Sequence, residues 1–189
     1  MSWLEVVLLL LIYFKNIEGW RTFTIKLTNA TGISYSNKFN LNLTINDNKL
    51  DIHFIMKETV AHPTIRAEMF LQSPGSGRYD DELMNRTIDL CKFYENRLYE
   101  PLLQIMYQII LESGDFPKSC PVKAKHYYIE QVHFDPDRFP PYLPERKGYI
   151  KLSFCIKENN QTILILVSTV NFSIENSTAL KRFKTIGSK

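Results

Sequence analysis

The chain has 189 residues, 44% of them hydrophobic, a formal net charge of +3 at pH 7 and three cysteines. That length is enough for one domain with a full core. The mild charge excess is not gathered with aromatics into any recognisable module, which argues against a nucleic-acid partner.

Residues 1–19 read as a secretory signal peptide. Val6 to Phe14 form an apolar run ended by Lys15, and Gly19 offers a small residue for cleavage. The run is short of the ~20 apolar residues a membrane span needs. Glu5 and Ile17 depart from the usual pattern, so an uncleaved anchor is the competing reading. Every later apolar run is interrupted by Asp, Lys or Asn. Residues 20–176 then form a single domain. Residues 177–189 form a basic tail carrying Lys181, Arg182 and Lys184, read as solvated rather than as an anionic-surface contact. Six Asn-X-Ser/Thr sequons (Asn29, Asn42, Asn85, Asn160, Asn171 and Asn176) are more than chance placement gives, and they support a secreted, extracellular location.

Phe23, Ile25 and Leu27 alternate with polar residues, as do Phe39, Leu41, Leu43 and Ile45, and, after Asn46-Asp47-Asn48, Leu50, Ile52, Phe54 and Met56. Period two bounded by turn residues predicts half-buried antiparallel strands, the second and third joined as a hairpin. Asn42 falls on the polar face of its strand, where a glycan must go. Ile65, Ala67, Met69 and Leu71 predict a fourth strand, followed by a loop at Ser73–Gly77. Asp80, Asp81 and Glu82 read as a solvated loop, since no calcium-ligand pattern continues.

A helical insertion follows around residues 89–113. Asp89 caps a short helix to about Arg97, and Pro101 opens a second one with a Leu102, Ile105, Met106, Ile109 stripe, stopped by Gly114. Strands resume at Tyr127–Phe134, Tyr149–Ile156 and Ile163–Ile174, with a loop of four prolines (Pro136, Pro140, Pro141, Pro144) after the first. Ile163–Val167 is apolar on both faces, as in a central strand or a lipid-facing wall. The pattern predicts an all-β antiparallel sandwich or cup of seven or eight strands.

An oxidising compartment favours one disulfide among three possible pairings. Closing the loop from Cys91 to Cys120 would contribute roughly 3–4 kcal/mol on the chain-entropy model. Alternation puts Cys155 on the Lys151/Ser153 face. That suggests either an intermolecular disulfide or a partly buried free thiol.

His53, His62, His126 and His133 lack metal-ligand spacing, and no nucleophile elbow or phosphate loop occurs. The expectation is a protein without catalytic residues, metal or cofactor. Abundant aliphatic and aromatic residues suit either a filled core or a sandwich splayed at one end. In the splayed case Leu43, Ile52, Phe54, Met69, Phe93, Leu102, Met106, Phe134, Leu152, Phe154 and Leu166 would line an apolar cavity.

The string Cys120-Pro121-Val122-Lys123, Tyr127-Tyr128, Phe134, Pro140-Pro141-Tyr142-Leu143 and Gly148-Tyr149-Ile150 resembles the lipid-recognition (ML) superfamily, within it the ganglioside-activator type. With Asp89-Leu90-Cys91, Asp115-Phe116-Pro117 and Pro144 it is similar to an insect-specific secreted family of mostly uncharacterised proteins that includes the CheA/CheB chemosensory type. The resemblance covers residues 85–160 well and the first 70 by strand pattern alone. It implies a sandwich with a pocket for a lipid, glycolipid, hydrocarbon or pheromone, a Cys91–Cys120 disulfide, and a Pro136–Pro144 loop (Phe139, Pro140, Pro141 and Tyr142 within it) beside the cavity mouth. The activators carry several disulfides where this chain can form one, and Lys125 replaces a turn glycine. A C12–C18 chain buried at ~0.8 kcal/mol per CH₂ supplies ample driving force without a catalytic group. The expected partners are a hydrophobic molecule and, with it, a membrane surface or receptor. The chain itself is expected to be a monomer, with a dimer through Cys155 as the alternative. A different class, an extracellular interaction module with a filled core, stands beside this reading.

Overall fold

A computed structural model describes residues 23–96, 101–139, 143–158 and 161–176. The expected leader and basic tail, the loop residues Pro140, Pro141 and Tyr142, and the sequon Asn160 lie outside the described residues, as do the side chains of Leu102 and Asn176. In chain order the elements are β1 (Phe23–Ser34), β2 (Phe39–Asn46), β3 (Lys49–Met56), β4 (Pro63–Leu71), β5 (Asp81–Asp89), α1 (Leu90–Glu95), α2 (Pro101–Glu112), β6 (Gly114–Asp115), β7 (Lys125–Val132), a 3₁₀ turn (Pro136–Arg138), β8 (Lys147–Glu158) and β9 (Gln161–Asn176). They build two antiparallel sheets, β1-β9-β8-β4-β5 and β2-β3-β7-β6, with the helices between β5 and β6 in sequence. This is the all-β sandwich the alternation predicts.

The β2–β3 hairpin follows directly from its turn. Asn46 pairs with Lys49, and the two residues between them, Asp47 and Asn48, have φ of 50° and 61°. Positive φ at both loop positions matches the strand twist, and Asp and Asn accept it more readily than most residues. On one side of the sandwich β1 packs beside β2. On the other, α1 packs against β4 and β5 while α2 packs against β6 and β7.

Two sequence expectations need correction. Asp81 and Glu82 do not lie in a solvated loop; they begin β5, an edge strand paired to β4. The register shifts between Met69 and Phe70, so that Met69 faces Met84 and Phe70 faces Glu82, leaving Leu83 unpaired. One bulged residue breaks the period-two pattern from which a strand is read. Gly114 is no left-handed helix cap either. It lies in the extended β6, where a Cβ would come within 2.8 Å of Ile129 Cα on β7. Its role is close approach between strands.

Buried side chains form two clusters, one including Phe23, Ala67, Met69, Leu71, Phe93, Ile129 and Phe172, the other including Phe39, Phe54, Val122, Phe154 and Ile165. Gly148 serves the first. A Cβ there would lie 2.5 Å from Phe172 Cζ and 2.8 Å from Leu71 Cδ2, so the glycine before Tyr149 makes room for an aromatic ring. Ile163–Val167 lies in β9, between β1 and β8: it is a central strand.

Candidate functional site

Between the two clusters the core is not filled. A cavity of about 120 Å³ is bounded by Leu41, Leu43, Leu50, Ile52, Phe54, Ile129 and Val132 of one sheet and by Ile65, Ile150, Leu152, Phe154, Leu166, Ser168 and Val170 of the other. The helical side contributes Leu90, Tyr94, Met106, Ile110, Phe116 and Pro117, and Phe134 follows β7. Leu41, Leu43, Ile52, Ile150, Leu152 and Val170 point inward yet are only half-buried, because part of each faces this space. The volume is on the scale of an apolar ~150 Å³ cavity that stays dry and admits benzene, and well below the ~300–1,000 Å³ of drug-sized sites.

The helices are set for this by their frame. Asp89 caps α1, its carboxylate accepting from the Cys91 and Lys92 backbone N–H groups at 2.9 and 3.2 Å. Residues four apart share a helix face. Leu90 and Tyr94 on α1, and Met106 and Ile110 on α2, are such pairs, and both line the cavity. The Cys91–Cys120 disulfide, with Cα atoms 5.4 Å apart, fastens α1 to the segment before β7. That segment is itself held by paired Val60 and Val122 backbone bonds of 2.8 and 2.9 Å.

Among the residues expected to line a cavity, Leu43, Ile52, Phe54, Met106, Phe134, Leu152, Phe154 and Leu166 border this one. Met69 and Phe93 do not. Met69 packs in the filled core. Phe93, one residue from Tyr94 and so about 100° round the helix, turns into the core and meets the Tyr107 ring edge-on at 5.3 Å. Phe139 is also a correction: it is buried in the core beside Phe134, 6.4 Å between centroids, rather than at a mouth. The 3₁₀ turn that leads to it is held against α2 by Arg138 and Glu112, 2.6 Å apart.

Tyr94 is the wall residue the sequence reading passed over. Its ring packs against both core clusters. Its hydroxyl is enclosed and has no hydrogen-bond partner among the described residues. Burial first, then the nearby Tyr107 and Tyr127 hydroxyls, push its pKa well above the ordinary tyrosine range. By contrast Tyr107 Oη donates to the Pro117 carbonyl at 3.0 Å and Tyr127 Oη to the Lys123 carbonyl at 3.0 Å. The signal that could have found Tyr94 is its i, i+4 relation to Leu90 once Asp89 is placed as the cap.

Elsewhere, β3 and β7 bring His53 Nδ1 within 3.4 Å of His126 Nε2 on the outer face. Among the described residues no group of three or more His, Cys, Asp or Glu is placed to hold a metal ion. Cys155 is free and half-buried on β8, and burial, only partly opposed by Arg66, raises its pKa. The sequon residues Asn29 and Asn42 are exposed, while Asn85 and Asn171 are half-buried.

Residues 65–149 match the model of a family described as "Protein of unknown function (DUF1091)". The matched segment runs from β4 to the start of β8 and holds both helices, the disulfide and Tyr94. No curated protein matches the chain.

Proposed function

We propose that this chain is a secreted binding protein that carries or presents a small hydrophobic molecule. One observation carries the reading: an apolar cavity walled by both sheets and both helices, where a sandwich acting only through its surface would be filled. Burying each CH₂ there contributes about 0.8 kcal/mol, so affinity needs no charged group. The volume narrows the ligand to a ring or a short chain. A C12–C18 chain fits only with part of its length outside or with the walls spread. Exposed Asn29 and Asn42 suit a glycosylated extracellular protein. The resemblance to lipid-recognition and chemosensory families points the same way.

Native mass spectrometry of the protein purified from a secreting eukaryotic host, with organic extraction of what co-purifies, tests this. A bound apolar molecule of low mass is the expected result. A protein that carries nothing and takes up no hydrocarbon, alcohol, ester or fatty acid offered to it would end the carrier reading.

A further inference from the structure

The outward positions of the five-stranded sheet are not all polar. Register fixes one row across that face: Asn29 on β1 faces Asn171 on β9, Asn171 faces Tyr149 on β8, and Tyr149 faces Phe70 on β4. The row points outward, since the residues that alternate with it, Phe172, Gly148 and Leu71, are buried. Two residues along β8 and β4 on the same face, Lys151 and Glu68 form an ion pair of 3.2 Å. Next to these charges the Phe70 and Tyr149 rings stack with centroids 5.5 Å apart, and Tyr79, from the loop between β4 and β5, meets Tyr149 edge-on at 5.5 Å. Phe70 and Tyr149 are half-buried and Tyr79 is exposed, so the three rings make an apolar patch open to solvent. Contiguous rings on a solvent face point to something that covers them, as scattered single residues do not.

We infer that Asn171 is an N-glycosylation site whose first N-acetylglucosamine lies on the Tyr149, Phe70 and Tyr79 rings as part of the folded structure. This rests on the secreted reading above and is independent of the cavity. Asn171-Phe172-Ser173 is a sequon. Side chains directly opposite on adjacent strands have Cβ atoms about 4.5–5.5 Å apart, so Tyr149 is within reach of the first sugar on Asn171. A pyranose ring presents C–H groups on its faces, and these suit the negative face of an aromatic ring while the sugar hydroxyls stay in water. A protein partner fits this patch poorly. Asn29 and Asn85 are sequons too, and Asn85 stands opposite Glu68 on the same outer face, so a partner would have to dock among bulky glycans. Asn29 differs from Asn171 in its neighbour, which is Asn171 itself and not a ring.

The test uses the full chain expressed in a eukaryotic host that makes high-mannose glycans, trimmed enzymatically to one N-acetylglucosamine per occupied site. Mass spectrometry of glycopeptides should find Asn171 occupied. In proton NMR the sugar on Asn171 should show ring protons shifted upfield of those on the exposed Asn42, with nuclear Overhauser contacts to the Tyr149 ring. In Tyr149→Val those shifts should move toward the Asn42 values. Asn171→Gln should lower Tm by about 2–4 °C in the wild type, the effect of one weak packing contact in a domain of this size. The same substitution made in Tyr149→Val should lose little or none of that. Asn171 empty in the secreted chain, ordinary shifts for its sugar, or an equal fall in Tm in both backgrounds would overturn the inference and leave the secreted reading standing. A chain retained in the cells with every sequon empty would overturn the secreted reading, and this inference with it.

Discussion

Asn48, in the tip of the β2–β3 hairpin, accepts the Leu27 backbone N–H at 2.6 Å and donates to the Ile25 carbonyl at 2.9 Å. One side chain thereby ties the smaller sheet to β1, an edge strand of the larger one, and occupies two backbone groups that an edge leaves unpaired. Asn48→Gly keeps the positive φ and removes both bonds. A loss of about 1–3 kcal/mol in urea unfolding is expected. Asn48→Ala should lose more than Asn48→Gly, because it keeps a Cβ at positive φ and with it about 1–2 kcal/mol of left-handed strain that glycine does not carry. If Asn48→Gly unfolds at the wild-type urea midpoint, the tether contributes nothing.

The Cys91–Cys120 disulfide closes a loop with a sequence separation of 29. Cys91→Ser/Cys120→Ser should therefore lose roughly 3–4 kcal/mol on the chain-entropy model. Because Tyr94 lies only one turn along the same helix, ligand affinity should fall as well. Retained stability together with retained affinity would mean that the Val60–Val122 pairing holds this corner by itself.

The sheets were legible because inward and outward residues alternate without interruption in β2 (Leu41, Leu43 and Ile45 against Asn40, Asn42 and Thr44), and because Asp47-Asn48 is a hairpin sequence. β5 was not legible, since the bulge at Leu83 puts Leu83 and Met84 out of alternation, and the exposed Arg86 interrupts the inward row between Met84 and Ile88 on a polar edge strand. The helix cap at Asp89 could be read from local chemistry. Which strands neighbour one another could not, and both the His53–His126 pair and the Asn48 tether depend on that neighbourhood. The site was partly legible for a related reason. Alternation says that Leu43, Met69 and Leu152 all face inward, but core and cavity walls are built from the same residue types. Only the packing separates Met69, which is enclosed, from Leu43 and Leu152, which face empty space.

That distinction gives a direct check on the cavity. Leu152 is in β8, in the middle of the five-stranded sheet, and borders the space. Leu152→Phe puts a ring into existing volume. Cavity filling should raise the stability of the empty protein by about 0.5–2 kcal/mol and reduce binding of hexanol sharply. In a filled core the same change would be overpacking and would instead lose about 1–3 kcal/mol, so the sign of the change in urea midpoint separates the two packings.

Cys155 bears on the oligomeric state and on alkaline stability together. Burial raises its pKa, with Arg66 opposing in part, so the thiol is protonated at neutral pH and a poor nucleophile. Alkylation of the native protein by iodoacetamide should be slower than alkylation of the urea-unfolded chain, and electrophoresis without reductant should show a monomer. For a thiol whose pKa is higher when folded, the folded state holds the proton longer than the unfolded state as pH rises. Stability must then fall with pH, starting near the ordinary thiol value of 9.0. Tyr94 has the same sign from its ordinary value of 10.0 upward, again because burial disfavours its anion. Wild-type stability should therefore decline above about pH 9, with Cys155→Ser flattening the first part of the decline and Tyr94→Phe the later part. A pH profile that neither substitution alters, or a covalent dimer without reductant, would show that Cys155 is more accessible than its half-buried place on β8 implies.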